Sequence, residues 1–325
     1  NALSALAQKL PEVLPEALAA ARAIQDKDSR ANALSALVEK LPEVLPEALA
    51  AARAIQDEDF RATILSALAQ KLPPELLAEV FAAARAIQDK DSRAKALSAL
   101  AQKLPPELLA EGLAAARAIQ SEYFRAKALR ALAEKLPEVL PEALAAARAI
   151  QHEESRANAL SALAQKLPPE LLPEALAAAR AIRSEESRAD ALSALAQKLP
   201  PELLPEALAA ARAIQNKYYR AKALSALAQK LPPELLPEAL AAARAIQNKY
   251  SRAKALSALA DSLSQMPAAE LFPLWQDTLH QLSLRPRHIS LSDIEALFPV
   301  IFTLGGEAAT VEFARAIQDV GRWWR

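Results

Sequence analysis

The chain has 325 residues, 53% of them hydrophobic and 24% charged, the balance of an ordinary folded protein. Its 39 basic and 39 acidic side chains cancel, so no net field draws it to nucleic acid or to an anionic membrane. The absence of cysteine excludes a disulfide framework and thiolate chemistry. It agrees with a reducing compartment, and the expected location is cytoplasmic. The longest apolar stretches, such as ALAAA, fall far short of the ~20 residues of a membrane span.

In chain order, the phrase ALSALAQKLP…LAAARAIQ returns eight times between Asn1 and Lys254. Units start at Asn1, Asn32, Thr63, Lys95, Lys127, Asn158, Asp190, Lys222 and Lys254. The step is 31 residues where the turn reads LPEVL and 32 where it reads LPPELL. A short period of self-similarity marks a solenoid, in which each unit buries its apolar face only against its neighbours. The first copy lacks the loop and the Arg-Ala that precede every later one. It reads as the cut end of something longer, and such an end favours end-to-end self-association.

One repeat predicts two helices. Ala96, Leu97, Leu100 and Leu104 form the apolar stripe of a first helix, which Pro105-Pro106 stops. Leu109, Leu113, Ala116 and Ile119 form the inner face of a second. Six second helices carry Pro where Ala78 and Ala110 stand in the other two, so regular helix should begin there, after a 3₁₀-like PELL turn. The residue after AIQ or AIR is Asp26, Asp57, Asp89, Ser121, His152, Ser184, Asn216 or Asn248, and all but the histidine are preferred N-caps. The prediction is an all-α fold: an αα-solenoid over residues 1–263, with a divergent helical cap over 264–325.

The copies differ mainly at three sites around each junction between a second helix and the next first helix. One holds Asp28, Asp59, Asp91, Tyr123, Glu154, Glu186, Tyr218 and Tyr250. Beside it stand Ser29, Phe60, Ser92, Phe124, Ser155, Ser187, Tyr219 and Ser251. The third holds Asn32, Thr63, Lys95, Lys127, Asn158, Asp190, Lys222 and Lys254, four residues beyond the first and so on the same helical face. Continued through Ser35 and Glu39, that face is expected to be the exposed stripe of the first helix. All four tyrosines lie in this zone, among small polar residues suited to recognition. Pairs such as Asp91 and Lys95 also have a plain reading as i, i+4 ion pairs, and exposed positions drift. The equivalents of Gln8, Lys9, Glu12 and Glu16 scarcely change, however, which favours recognition.

Three further features depart from or accompany the repeat. Val80 and Phe81 add bulk where Ala-Leu is usual, and Gly112 in the next copy is expected to make room for them. Arg22, Arg53, Arg85, Arg117, Arg148, Arg180, Arg212 and Arg244 recur near second-helix C-termini, where a cation suits the dipole and can meet a neighbouring carboxylate. In the tail, Ala268 to Leu284 reads as a helix with Leu271, Trp275, Leu279 and Leu282 inward. Ser292 to Glu295 reads as a capping box opening a helix from Asp293 to Leu304, and a last helix follows the Gly305-Gly306 break. Trp275, Trp323 and Trp324 are expected to pack within this cap.

AKALSALAQKL followed by EALAAARAIQD resembles the tetratricopeptide repeat, AEAWxxLGxAY followed by EAIxxYxxALxLDP. The likeness covers residues 1 to about 260. Leu97 stands where that family has Trp, Ala101 where it has Gly and Leu104 where it has Tyr, and the unit is shorter than the family's ~34 residues. The resemblance implies that first helices line a concave groove. ARAIQDVGRWW, Ala314 to Trp324, is similar to the ends of repeat arrays in bacterial STAND-class signalling NTPases, where such arrays act as C-terminal sensors. Glycines only at 112, 305, 306 and 321 leave no phosphate loop. No Cys, Gly-rich loop or His-acid constellation suggests an enzyme, a cofactor or a metal. The expected function is therefore a non-enzymatic recognition solenoid, the sensor region of a larger bacterial protein, whose partner is a protein or peptide. The alternative is a spacer or self-assembling scaffold.

Overall fold

A computed structural model describes residues 14–73 and 76–323. All described elements are helical, in the order that the repeat predicts. Contacts divide the chain into two compact units, Asn1–Ala159 and Leu160–Arg325. The change of pattern at residue 264 lies inside the second of these.

Each repeat is a first helix, here A, and a second, B, as in Lys90–Ala101 followed by Leu109–Arg117. The unit start drawn at Lys95 therefore falls inside an A helix. The B helices begin as the prolines dictate. A 3₁₀ turn such as Pro42–Val44 or Pro201–Leu203 comes first, and Pro46 or Pro205 then occupies the opening turn of the α-helix. Proline is harmless there because the first helical N–H groups have no partner within the helix. The two turn lengths pack differently. In the 31-residue repeats Val44 and Val139 are buried, whereas the PEL turns described in full in the longer repeats bury no residue.

Side chains start the A helices. Asp26, Asp57, Asp89, Ser184, Asn216 and Asn248 each accept a backbone N–H of the first turn. His152 does the same through Nδ1, which accepts from Ser155 N at 3.3 Å, while Ser121 makes no side-chain cap. Four residues past each cap stands an arginine whose guanidinium donates to the carbonyl of the isoleucine ending the preceding B helix. Examples are Arg93 to Ile87 at 2.6 Å and Arg220 to Ile214 at 2.6 Å. A cation at that C-terminus also opposes the negative end of the helix dipole. The arginines of the B helices meet carboxylates of the next repeat as expected: Arg22 with Glu47 and Arg117 with Glu142, both at 3.0 Å, and Arg180 with Glu206.

The core is leucine and alanine. Leu34, Leu65, Leu100, Leu129, Leu192, Leu224 and Leu256 are at most 1% exposed, each burial contributing ~1.5–3 kcal/mol. Ser35 corrects one expectation: Glu39 is exposed, but Ser35 and Ser98 are buried at 3%. Along the rest of this serine column Ser66, Ser193 and Ser225 are half-buried and Ser257 is exposed; the Ser35 and Ser225 hydroxyls are buried without a partner, while others turn back on their own backbone. Ser66 and Ser193 donate to Ala62 and Ala189 carbonyls at 2.7 Å.

Gly112 brings a second correction. The atoms nearest to a side chain built there belong to Leu104 and Leu132, not to Val80 or Phe81. Leu104, from the same repeat, leans into the space that an alanine fills elsewhere.

The tail is helical over Ala268–Ser283, Arg287–Ala296 and Phe298–Trp323. Leu271, Trp275 and Leu282 face inward, with Leu279 half-buried, and the Trp275 ring lies 6.1 Å from that of Phe313. Gly306, at φ 61°, breaks the last helix as expected of a residue that tolerates the left-handed region. The helix then runs past Gly321. Trp324 and the Trp323 side chain lie outside the described residues. The capping box is overturned, because the helix starts after Pro286 and Ser292 to Glu295 lie within it. Asp293 is instead a buried counter-ion. Its carboxylate accepts from Arg252 Nε at 2.8 and 2.9 Å and from Arg285 Nη1 at 3.0 Å.

Candidate functional site

The first variable site is a column of exposed residues in the opening turn of the A helices. Only Asp28 is half-buried; Asp59, Asp91, Tyr123, Glu154, Glu186, Tyr218 and Tyr250 are exposed. Most of the second column turns toward the protein, although Ser29 is exposed and Ser155 half-buried. Ser92, Ser187 and Ser251 are buried, and Phe60, Phe124 and Tyr219 are half-buried. In the third, Asn32, Thr63, Lys127, Asn158 and Lys254 are exposed, while Lys95, Asp190 and Lys222 are half-buried.

In the first unit, Tyr123 stands 44% exposed and edge-on to Phe124, with ring centroids 5.3 Å apart. The half-buried Phe124 thus fixes the exposed ring. Lys95 does not pair with Asp91, four residues before it on its own helix. Its ammonium crosses to the preceding repeat, 2.9 Å from Asp59 Oδ1 and 3.0 Å from Thr63 Oγ1. The first and third columns are therefore laced between repeats.

In the second unit, Tyr218 is 57% exposed and again edge-on to its neighbour, Tyr219, at 5.4 Å. The Tyr219 hydroxyl donates to Glu186, and this bond, with desolvation, raises the phenol above its ordinary pKa. Lys222 pairs with Asp190 of the preceding repeat. Tyr250, at 73%, is the most exposed aromatic described, with Lys249 Nζ 4.8 Å from its ring centre, and Lys254 Nζ lies 5.8 Å from that of Tyr218. The result is a cluster of propped tyrosines edged by lysines.

Sequence reasoning missed a set of clamps at the residue just after the cap. The Glu58 carboxylate accepts from Gln88 N at 3.2 Å and Asp89 N at 2.5 Å, both in the next repeat's loop. Glu185 accepts from Gln215 N at 2.6 Å and Asn216 N at 2.8 Å, and Glu122 from Gln151 N at 3.1 Å. The only signal was the exchange of Glu for Lys at this position between copies. The Asp89 and Gln88 amides hold Glu58 below the usual carboxylate range, and the Gln215 amide does the same for Glu185. The Ser92 hydroxyl and amide lower the capping Asp89, and those of Ser29 lower Asp26.

A group whose folded pKa is depressed stabilises the fold above its unfolded pKa, and that contribution is lost as pH falls through the folded value. Thermal melts should therefore hold steady from pH 7 to about 5 and decline below it. In a Glu58→Gln, Glu185→Gln double variant the decline should be shallower. An equal decline in the variant would show that the clamps do not carry the acid sensitivity.

Among the described residues no group of three or more His, Asp or Glu is placed to hold a metal ion, and no single helix is long and apolar enough to cross a membrane. No family model matches the chain, and no curated protein matches it. Solved structures resemble it loosely. A crystal structure of Ton1535 from Thermococcus onnurineus NA1 is 16% identical, aligned over 82% of this chain and 97% of that one, with a TM-score of 0.33. A circular tandem repeat protein with novel repeat topology and enhanced subunit contact surfaces is 18% identical over 98% and 80%, with a TM-score of 0.29. A protein from the computational design of self-assembling cyclic homooligomers is 20% identical over 98% and 96%, with a TM-score of 0.14. The helix-pair fold stands on the chain's own helices.

Proposed function

We propose that this repeat scaffold is a non-enzymatic recognition protein that binds a protein or peptide through the aromatic rungs of its A helices. The observation that carries the reading is the exposure of Tyr123, Tyr218 and Tyr250, each at the same rung position and, for two of them, braced by a ring behind it. Rigid tyrosines lose little side-chain entropy on burial and keep a hydroxyl to satisfy, which suits them to anchor a partner. The lysines and acids beside them would set selectivity and association rate. The resemblance of the tail to STAND-class arrays supports a place as the sensor region of a larger bacterial signalling protein.

Self-assembly is the second reading, favoured by a different surface. Phe272, Phe298 and Phe302, 50%, 48% and 55% exposed, leave apolar area open on the tail. Peptides selected from a displayed library on the whole chain separate the two. Because Tyr219 is half-buried and bonded to Glu186, the informative variant is Tyr218→Ser with Tyr250→Ser. Its melting temperature should stay close to the parent's, and selected peptides should bind at least ~10-fold more weakly, about 1.4 kcal/mol. Unchanged affinity in the folded variant would remove the tyrosines from the site.

A further inference from the structure

The clamp position holds Glu in some repeats and Lys27, Lys90, Lys217 or Lys249 in the others, and beside Lys90 it adjoins a cavity. Where the A helix opens with Glu58 or Glu185, the carboxylate lies between the arginine three residues on and two amides of the next loop. Arg61 Nη1 is 3.1 Å from Glu58, and Arg188 Nη2 is 3.6 Å from Glu185. Lys90 takes this position in the helix Lys90–Ala101. The surrounding donors remain: the Arg93 guanidinium, held by the Ile87 and Gln88 carbonyls, and the amides of Gln120 and Ser121, which have no acceptor among the described residues. Where the Glu58 and Glu185 repeats have a carboxylate this one has an ammonium, and the two loop amides have lost the acid that the clamp supplies.

A cavity of about 300 Å³, lined in part by Lys90, Arg93 and Gln120, lies at this place. Its lining acid, Glu111, is already paired with Arg85, and Arg93 acts on Asp89, which does not line the cavity, so Lys90 meets no free carboxylate of the lining. Its floor is apolar, with Ala94, Leu97 and Ile119. Packing is looser here than in the other repeats. Leu113 is half-buried, whereas its equivalents Leu49, Leu144 and Leu208 are at most 1% exposed. Leu97 is 7% exposed, against at most 1% for Leu34, Leu65 and Leu129.

We propose that this cavity binds a small organic carboxylate, the anionic head taking the place that Glu58 and Glu185 fill in their own repeats and the apolar body lying over Leu97. The volume suits a small molecule, since ligand pockets begin at ~300 Å³. The apolar floor favours such an acid over inorganic phosphate. The site is separate from the tyrosine rungs and does not depend on them.

Isothermal titration of the full chain with phenylacetate tests this, with inorganic phosphate as the comparison. Phenylacetate should bind saturably, shifting the backbone amide resonances of Gln120 and Ser121, and should bind more tightly than phosphate. Lys90→Glu supplies the carboxylate from within. It should weaken phenylacetate at least ~10-fold and raise the melting temperature, because the clamp of the neighbouring repeats is restored. The proposal fails if phenylacetate does not bind, if phosphate binds as well, if the shifted amides lie elsewhere, or if Lys90→Glu binds phenylacetate like the parent.

Discussion

Asp293→Ala should lower the stability of the second unit by ~3–5 kcal/mol, the cost of leaving a buried charge without its partner. Arg252 is 2% exposed and Asp293 0%, and the pair is closed by two contacts to Nε at 2.8 and 2.9 Å. The guanidinium has one further strong tie, Nη1 to the Ile246 carbonyl at 2.8 Å, and its Nη2 is buried with no partner. In the earlier repeats the equivalent arginine is part-exposed, so water can share its charge; here the helix Arg287–Ala296 covers it. Loss of the carboxylate also releases Arg285, which donates to the Arg244 carbonyl at 2.6 Å. The melting transition of this unit should fall by on the order of 10 °C. Replacing Arg252 and Asp293 together by leucine should cost much less than Asp293→Ala alone, because apolar pairs of similar volume often match a buried ion pair. A fall below ~1 kcal/mol in Asp293→Ala would mean that water reaches Arg252 and that the tail does not seal the array's end.

Gly112 supplies the second large effect, with opposite signs for two substitutions. An alanine Cβ would overlap Leu104 Cδ1, the free end of a flexible side chain. In the later repeats Ala143, Ala175, Ala207 and Ala239 are fully buried beside leucines at the Leu104 position, so an accommodating rotamer exists. Gly112→Ala also removes the ~1 kcal/mol helix penalty of glycine and should stabilise by about 0.5–1 kcal/mol. Gly112→Leu must displace Leu104 and press on Leu132, whose Cδ2 lies only 3.6 Å from the Cβ position. Overpacking should cost ~1–3 kcal/mol. If denaturant melts rank the two substitutions in the reverse order, the alanine packing of the other repeats does not transfer to this one.

What could be read in advance followed the range of each interaction. Helix limits and caps are local: Asp26, Asn216 and the prolines act within a few residues, and the amino-acid types announce them. The array was legible because every copy repeats the same leucine spacing. Ser35 misled because a polar residue present in most copies looks solvent-facing, while a side chain this small fits a close helix contact, even though its hydroxyl is buried there without a hydrogen-bond partner. Ser292 and Glu295 have the spacing of a capping box, but Pro286 had already begun the helix. Contacts between repeats were hidden for a physical reason. Glu58 reaches amides about thirty residues onward, Lys95 reaches back to Asp59, and Arg252 finds Asp293 across the tail. No periodicity in one copy encodes such partners. For the candidate site, the tyrosine column was legible as exposed, whereas the inward turn of Phe60, Phe124 and Tyr219 was not, because the adjacent column differs only by one helical step.

The central claim is that the tyrosine rungs receive the partner. Hydrogen–deuterium exchange on the whole chain, with and without a selected peptide, measures this most directly. The account predicts new protection in the segments 217–222 and 249–254 of the second unit, with none in the tail. Protection confined to the apolar surface around Phe298 and Phe302, with the tyrosine segments unchanged, would contradict it.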